Sequence, residues 1–285
     1  MAYGSLAYDN KVDDSTFTSS DFTGTTLANV KTRDLGEVAI SNKVSNVIFD
    51  MDCGQSVFGR AHALIATNLS PYATIRRIWS NSSSFIDVIY DTGVKNAYPP
   101  IYLTSDLEWQ DPNWWSGRPS TVDLEGEQRK HIFVHPTQNI TARYVRTIID
   151  DPLNPDGYIS IGRVFYGPIW LFSTTNMQYG ASVAFDSGTL LDETLGRVQK
   201  FDVRPLKKTV SFAIPYMTER EAMSKAYDVM RKCDISGELL FIWDFEDSLN
   251  SFRRDIWGRL RALGQLEAVS FGYWSAPAFE IEELL

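Results

Sequence analysis

The stretch 142–167, ARYVRTIIDDPLNPDGYISIGRVFYG, decides how the rest of the chain is read. Before its centre, Arg143, Val145, Thr147 and Ile149 alternate with Tyr144, Arg146 and Ile148, the period-2 pattern of a strand with two distinct faces. The centre, Asp150-Asp151-Pro152-Leu153-Asn154-Pro155-Asp156-Gly157, has prolines to fix φ, Asx side chains to bond nearby amides, and a glycine that accepts positive φ. After it, Tyr158, Ile159, Ile161, Val164 and Phe165 resume an apolar strand. This pattern predicts a hairpin with a long polar turn that closes a β-sandwich.

Working backward, residues 46–91 carry four strand candidates: 47–51, 62–66, 73–79 and 84–90. Breaks are expected at Cys53-Gly54, at 68–71, at Asn81-Ser82 and at 91–93. The run 62–66 is apolar on both faces. Short strands at this spacing are the mark of an all-β sandwich or barrel. Residues 1–40 are rich in Ser, Thr, Asp and Asn, with apolar residues returning at Phe17, Phe22, Leu27 and Val30. They read as a loop-rich segment laid across a sheet. Between 94 and 120 the chain leaves the strand pattern for a Trp- and Pro-rich excursion, and 131–135 resumes it.

After Pro168 the character changes. Strands are predicted at 180–185, 198–203, 209–214, 239–243, 259–263 and 278–284. One helix is predicted near 219–233. Thr218-Glu219-Arg220-Glu221 is a capping box, and Ala222, Ala226, Val229, Met230 and Cys233 form one apolar stripe. The reading is therefore mostly β, with a sandwich over 1–172 followed by a smaller β-rich domain over 173–285.

Composition narrows the functions. A net charge of −9, with no basic run, argues against a nucleic-acid backbone as partner. The 44% hydrophobic and 22% charged content is that of a folded globular chain. Aromatic residues are plentiful, at 8 Trp, 13 Tyr and 16 Phe, which favours strands and large buried faces. Two cysteines, Cys53 and Cys233, form no CxxC, so neither a disulfide framework nor a cysteine zinc site is expected. The first residues lack the basic start and apolar core of a signal peptide, and no run reaches membrane-spanning length. Folding in the cytosol and no membrane insertion are expected.

Chemistry-bearing residues are few. His62 lies in an apolar run and reads as a hydrogen-bonded core residue. His131 and His135 share a strand face but lack a third ligand nearby. The acidic turn fails the EF-hand spacing: with Asn154, Asp156 and Gly157 at positions 3, 5 and 6 of the loop, Pro152 falls at position 1 and Arg163 at position 12. A looser cation site stays open there beside the reading of a turn shaped by Asx side chains. No GxSxG, Walker A, HExxH or GxGxxG motif occurs. No catalytic residue, metal or cofactor is expected, and the chain is not read as an enzyme. The candidate ligand-binding residues are Trp109, Trp114 and Trp115. Flat aromatic faces on a loop stack on sugar rings, anchor protein interfaces, or fold inward as a small core.

On these residues a family resemblance rests. The run ARYVRTIIDDPLNPDGYISIGRVFYGP at 142–168 is similar to the C-terminal hairpin of galactose-binding-like (discoidin-type) domains in tail proteins of bacteriophages and prophages. It shares an aromatic-Arg strand, an acidic Asp-Pro…Pro-Asp-Gly turn and an Ile-Gly-Arg strand. Residues 63–70 and 85–93 resemble the matching inner strands. Pieces of the later chain resemble tail-tip (distal tail or baseplate) proteins: 210–215, 218–222, 238–244, 258–260 and 279–285. The resemblance implies a structural component of a phage tail tip or baseplate, a homo-oligomeric ring that links the tail tube to the hub or receptor-binding fibres. It implies a place in the virion tail after assembly in the host cytoplasm. The Trp-rich excursion has no counterpart in the family. The alternative is a carbohydrate-binding module that recognises a host-surface glycan, and a third reading is a carbohydrate-active enzyme.

Overall fold

Alternating β-branched and aromatic residues make twenty strands among the described residues of the computed structural model, which describes residues 3–22, 26–135, 139–172, 175–193, 197–247 and 249–285. In chain order they are β1 (Ser5–Ala7), β2 (Thr16–Thr18), β3 (Ala39–Ile40), β4 (Val47–Gly59), β5 (Ala61–Thr67), β6 (Thr74–Ser80), β7 (Val88–Asp91), β8 (Lys95–Asn96), β9 (Lys130–Val134), β10 (Ile140–Asp150) and β11 (Ser160–Gly167). They continue as β12 (Trp170–Leu171), β13 (Ser182–Ser187), β14 (Leu190–Glu193), β15 (Gln199–Asp202), β16 (Leu206–Thr218), β17 (Glu238–Ile242), β18 (Ile256–Leu260), β19 (Glu267–Ser270) and β20 (Tyr273–Glu283). The chain divides into two compact units. One comprises Ala7–Ile169 and Asp244–Arg253, the other Tyr3–Leu6, Trp170–Trp243 and Arg254–Leu285.

The first unit is a sandwich. One sheet runs β2-β4-β10-β6-β7, with β8 also on β6, and the other runs β3-β11-β5-β9. Inward residues of both sheets, among them Phe49, Leu64, Trp79, Val145, Ile149, Ile161 and Val164, form one core. Trp79 is its hub, with ring centroids 5.4 Å from Phe133 and 5.6 Å from Tyr90.

The hairpin predicted at 142–167 is corrected here. β10 pairs with β4 and β6, whereas β11 pairs with β3 and β5 in the other sheet. The stretch is an arch between the layers, and each of its strands is central in its own sheet. A period-2 pattern states which face a residue takes; it carries no information on which strand lies alongside. The turn residues explain the crossing. The Asp151 carboxylate is fully buried, and it accepts from the Ser70 amide at 2.8 Å, the Ser70 hydroxyl at 2.5 Å and Asn154 Nδ2 at 3.0 Å. Ser70 lies in the β5–β6 connection, which also passes from one sheet to the other. Asp151 therefore fastens two crossings side by side, and buried polar groups on both are satisfied together.

Two further expectations are adjusted. β4 runs through the break expected at Cys53-Gly54. Gly54 takes φ +73°, and the register against β10 shifts between Ala142 and Tyr144, so the glycine makes a bulge instead of an end. The strand expected at 84–90 begins only at Val88. Phe85 has φ +56° and turns its ring under Arg146, whose guanidinium carbon lies 4.1 Å from the ring centroid. The polar N-terminal segment crosses the sandwich as predicted, with Val12, Phe22, Leu27 and Val30 buried. Fully buried Arg163 holds it through the Asp13 carboxylate at 2.7 Å and the Lys31 carbonyl.

The second unit is built on the sheet β12-β1-β17-β18-β20-β16-β13, with β19 on β20. Phe212 lies at its centre, stacked 4.9 Å from Phe241 and 5.4 Å from Phe279. The helix spans 219–233 with a π-turn at Ala222–Ala226. Thr218 accepts from the Glu221 amide as the capping box predicts, while the Glu221 carboxylate takes the Trp170 indole N–H at 3.1 Å. Ala222, Ala226, Val229 and Cys233 are buried. β14 and β15 form a separate two-stranded ribbon. The chain is thus mostly β, a sandwich followed by a smaller β unit carrying one amphipathic helix.

Candidate functional site

The excursion between β8 and β9 is a long surface loop whose own small core is not made of tryptophan. Tyr98, Ile101 and Leu124 are buried beneath it, and the Tyr98 ring meets Phe252 edge-on at 5.6 Å. The Ile101 and Tyr102 amides both donate to the Gly117 carbonyl, at 2.8 and 3.0 Å. Gly117 closes a turn on the Asn113 carbonyl at 2.7 Å, with φ +62°. A Cβ there would sit 2.7 Å from the Tyr102 carbonyl oxygen, so only glycine fits. Buried Asn113 donates Nδ2 to the Arg118 carbonyl at 2.8 Å and shapes the same turn from inside.

A second clasp ties the loop's far end. The Tyr102 hydroxyl donates to Asp123 at 2.8 Å and accepts from Arg253 at 3.1 Å, while the Ser120 amide and hydroxyl both reach Asp123 at 2.8 Å. Burial pushes the Asp123 carboxyl up, but the bonds from Ser120 and Tyr102 outweigh it and hold the group below its ordinary value.

With the loop's interior filled by other residues, the tryptophans are turned outward. Trp109 and Trp115 are 70% and 81% exposed, and Trp114 is half-buried. The three rings meet edge to face, with centroids 4.7 Å apart for Trp114–Trp115, 5.2 Å for Trp109–Trp114 and 5.9 Å for Trp109–Trp115. The structure therefore brings all three sequence candidates together. It removes the inward-folding reading for Trp109 and Trp115. Their exposure leaves ring surface of Trp109 and Trp115 open to a partner.

Beside this cluster in sequence is a cleft of about 300 Å³, the lower end of small-ligand pockets. Its walls are Pro71, Tyr72, Asn113, Ser116, Arg118 and Ser120–Val122 with two further prolines. Arg118 donates Nη1 to the Pro71 carbonyl at 3.3 Å, and its guanidinium carbon lies 6.0 Å from the Tyr72 ring centroid. The sequence reading did not single out Arg118 or Tyr72. The available signal was Gly-Arg-Pro following a Trp pair, a rigid turn that presents one long cation.

No family model matches the chain, and no curated protein does. Similar folds occur among solved structures. One is CBM32-1 from a family 31 glycoside hydrolase of Clostridium perfringens, with 11% identity, covering 56% of this chain and 99% of that one, at a TM-score of 0.35. A second is the lectin-binding domain of lectinolysin complexed with Lewis b, with 11% identity, 57% and 99% coverage and a TM-score of 0.36. A third is a Streptococcus pneumoniae fucose-binding module, with 9% identity, 56% and 98% coverage and a TM-score of 0.34. At these identities and scores the likenesses carry no inference to the ligand of this chain.

The histidines lie elsewhere and do different work. Buried His62 and half-buried His131 contact Arg77 inside the sandwich, and the His135 ring packs edge-on to Tyr90 at 4.7 Å. Among the described residues no group of three His, Cys, Asp or Glu side chains could hold a metal ion. The acidic turn has its carboxylate committed to Ser70 and Asn154, as set out above. Cys53 and Cys233 are both buried and neither is in a disulfide, and burial raises the Cys53 thiol to about 12. Among the described residues no helix is long and apolar enough to cross a membrane.

Proposed function

We propose that the protein is a carbohydrate-binding component, with residues 1–172 as the saccharide-binding module and the loop at 98–123 as its binding surface. The observation that carries this is the exposed cluster of Trp109, Trp114 and Trp115 on a loop whose conformation is fixed by Gly117, Asn113 and Asp123. Rigid exposed aromatic faces beside a hydroxyl-lined cleft are the chemistry that holds a sugar's apolar face and its hydroxyls. The test is a glycan array followed by titration of the hits. Saturable binding that weakens about tenfold or more in Trp109→Ala and Trp115→Ala, with an unchanged melting temperature, is expected. Binding indifferent to both changes, or no glycan bound at all, overturns the reading.

A second reading concerns residues 173–285. The ribbon β14–β15 exposes Leu190, Leu191, Phe201 and the flanking Val198 and Val203, and the neighbouring edge strand β13 exposes Phe185. A lone two-stranded ribbon is marginal in water, and an apolar edge strand invites pairing. This supports self-association of the chain, in line with a ring-forming component of a phage tail tip or baseplate that contacts tail tube, hub and fibre proteins. In that setting the saccharide would belong to a host surface. Closed rings by electron microscopy, together with the chain's presence in purified particles, are the expected observations. A monomer at all concentrations, absent from particles, overturns this reading.

A further inference from the structure

Several arginines of this protein are matched by acid. Arg76 pairs with Asp91, Arg143 with Asp52, Arg146 with Asp50, Arg163 with Asp13 and Arg259 with Glu282. Arg118 is different. Among the described residues no carboxylate lies within ion-pair distance of it. Its side-chain contacts are the Pro71 carbonyl and the Tyr72 ring face, both on a wall of the cleft. The nearest acids in sequence are engaged: Asp111 accepts from the Glu108 amide, and Asp123 from Ser120 and Tyr102. Arg118 is also held in place, with its carbonyl bonded to buried Asn113 and its amide to Ser116 Oγ at 3.4 Å. Pro119 follows it and fixes the next φ. One wall of the cleft therefore presents a positioned guanidinium with donors to spare, in a chain whose net charge is −9.

We infer that the cleft beside the tryptophan cluster selects a saccharide bearing a carboxylate, a uronic-acid type of unit, with Arg118 as the carboxylate ligand. The inference rests on the carbohydrate-binding reading and sharpens it. The planar guanidinium fork matches a carboxylate with two parallel N–H···O bonds, which an ammonium or a hydroxyl cannot do. Ser116, Ser120 and Thr121 along the same cleft supply the hydroxyl-bonding groups a sugar ring requires, and Tyr72 supplies an aromatic edge. The volume of about 300 Å³ suits one or two sugar units.

The experiment uses the full chain and a matched pair of probes: a galacturonate trisaccharide and its methyl ester, which keeps the rings and removes the charge. Calorimetric titration of wild type is expected to favour the acid form by about tenfold or more, with the preference shrinking as salt rises. Arg118→Gln is expected to erase that preference, weakening the acid form far more than the ester. Arg118→Lys, which keeps the charge and loses the fork, is expected to recover only part of it. Equal affinity for acid and ester in wild type overturns the inference and leaves carbohydrate binding standing, as does a preference that survives Arg118→Gln. Failure of both probes, together with every neutral glycan, overturns the underlying reading as well.

Discussion

Arg77 Nε donates to His62 Nδ1 at 2.8 Å inside the sandwich, and Arg77 Nη2 lies 2.7 Å from His131 Nδ1. Arg77 is 1% exposed, and its guanidinium carbon sits 5.8 Å from the Phe133 ring centroid. Arginine has only donors, so both imidazoles must present a lone pair at Nδ1. Three strands, β5, β6 and β9, are thereby joined through one buried cation and two neutral rings.

This arrangement sets a pH dependence. Burial, and then the Arg77 charge, hold both imidazoles well below their ordinary value of 6.5. The unfolded chain takes up protons below pH 6.5 that the folded chain refuses, so stability falls as pH drops. Stability is therefore expected to be lower at pH 5.5 than at pH 7.5, with both imidazoles contributing in the same direction. Urea unfolding at the two pH values measures it. His62→Gln, which keeps an acceptor for Arg77, is expected to halve the slope; an unchanged slope would show that the pair does not set it.

Asp151 makes the arch between the sheets hold its shape. Asp151→Ala strands the Ser70 amide and hydroxyl in a buried site and removes one of the two acceptors of Asn154 Nδ2. The expected cost is about 2–4 kcal/mol, seen as a lower urea midpoint with the m-value unchanged. Ser70→Ala removes one donor only and is expected to cost about 1 kcal/mol.

Gly117→Ala separates loop geometry from global stability. The added Cβ meets the Tyr102 carbonyl and the backbone is at positive φ, so the turn must open. Tryptophan emission is expected to change and saccharide affinity to fall, while the sandwich melts within a few degrees of wild type. An unaltered emission spectrum would show that the turn does not position Trp114 and Trp115.

On the second unit, Leu191→Asp and Phe201→Ser place polar groups on the exposed ribbon. Under the self-association proposed above, sedimentation velocity is expected to show a lower mass for these variants than for wild type, with no loss of secondary structure by circular dichroism. Retention of the wild-type mass would assign the ribbon another role.

Much of the sandwich was legible because β5, β6, β9, β10 and β11 each carry alternation or a fully apolar run in their own residues. The helix was legible through Thr218 and its stripe. The arch was not, since the residues that make it an arch, Asp151 and Ser70, lie far apart in sequence and signal only in contact. Phe85 looked like a strand residue by type, but its pairing with Arg146 across the sheet holds it in a turn. The three tryptophans were visible as candidates. Their exposure was not, because it depends on Tyr98, Ile101 and Leu124 filling the space they would otherwise occupy. His62 and His131 each stand out alone in the sequence, whereas Arg77, which joins them, gives no signal until β5, β6 and β9 are brought together.

The arch at 142–167 has a consequence for how the chain is made. Its two strands are central in two different sheets, and they pair with β4 and β5, roughly a hundred residues upstream. Neither layer can be completed on the ribosome until this stretch has emerged, so the two layers are expected to close together. A nascent chain stopped before residue 140 would expose the edges of β4, β5 and β6 together, and pulse-labelled chains of that length are expected to be protease-sensitive and held by chaperones.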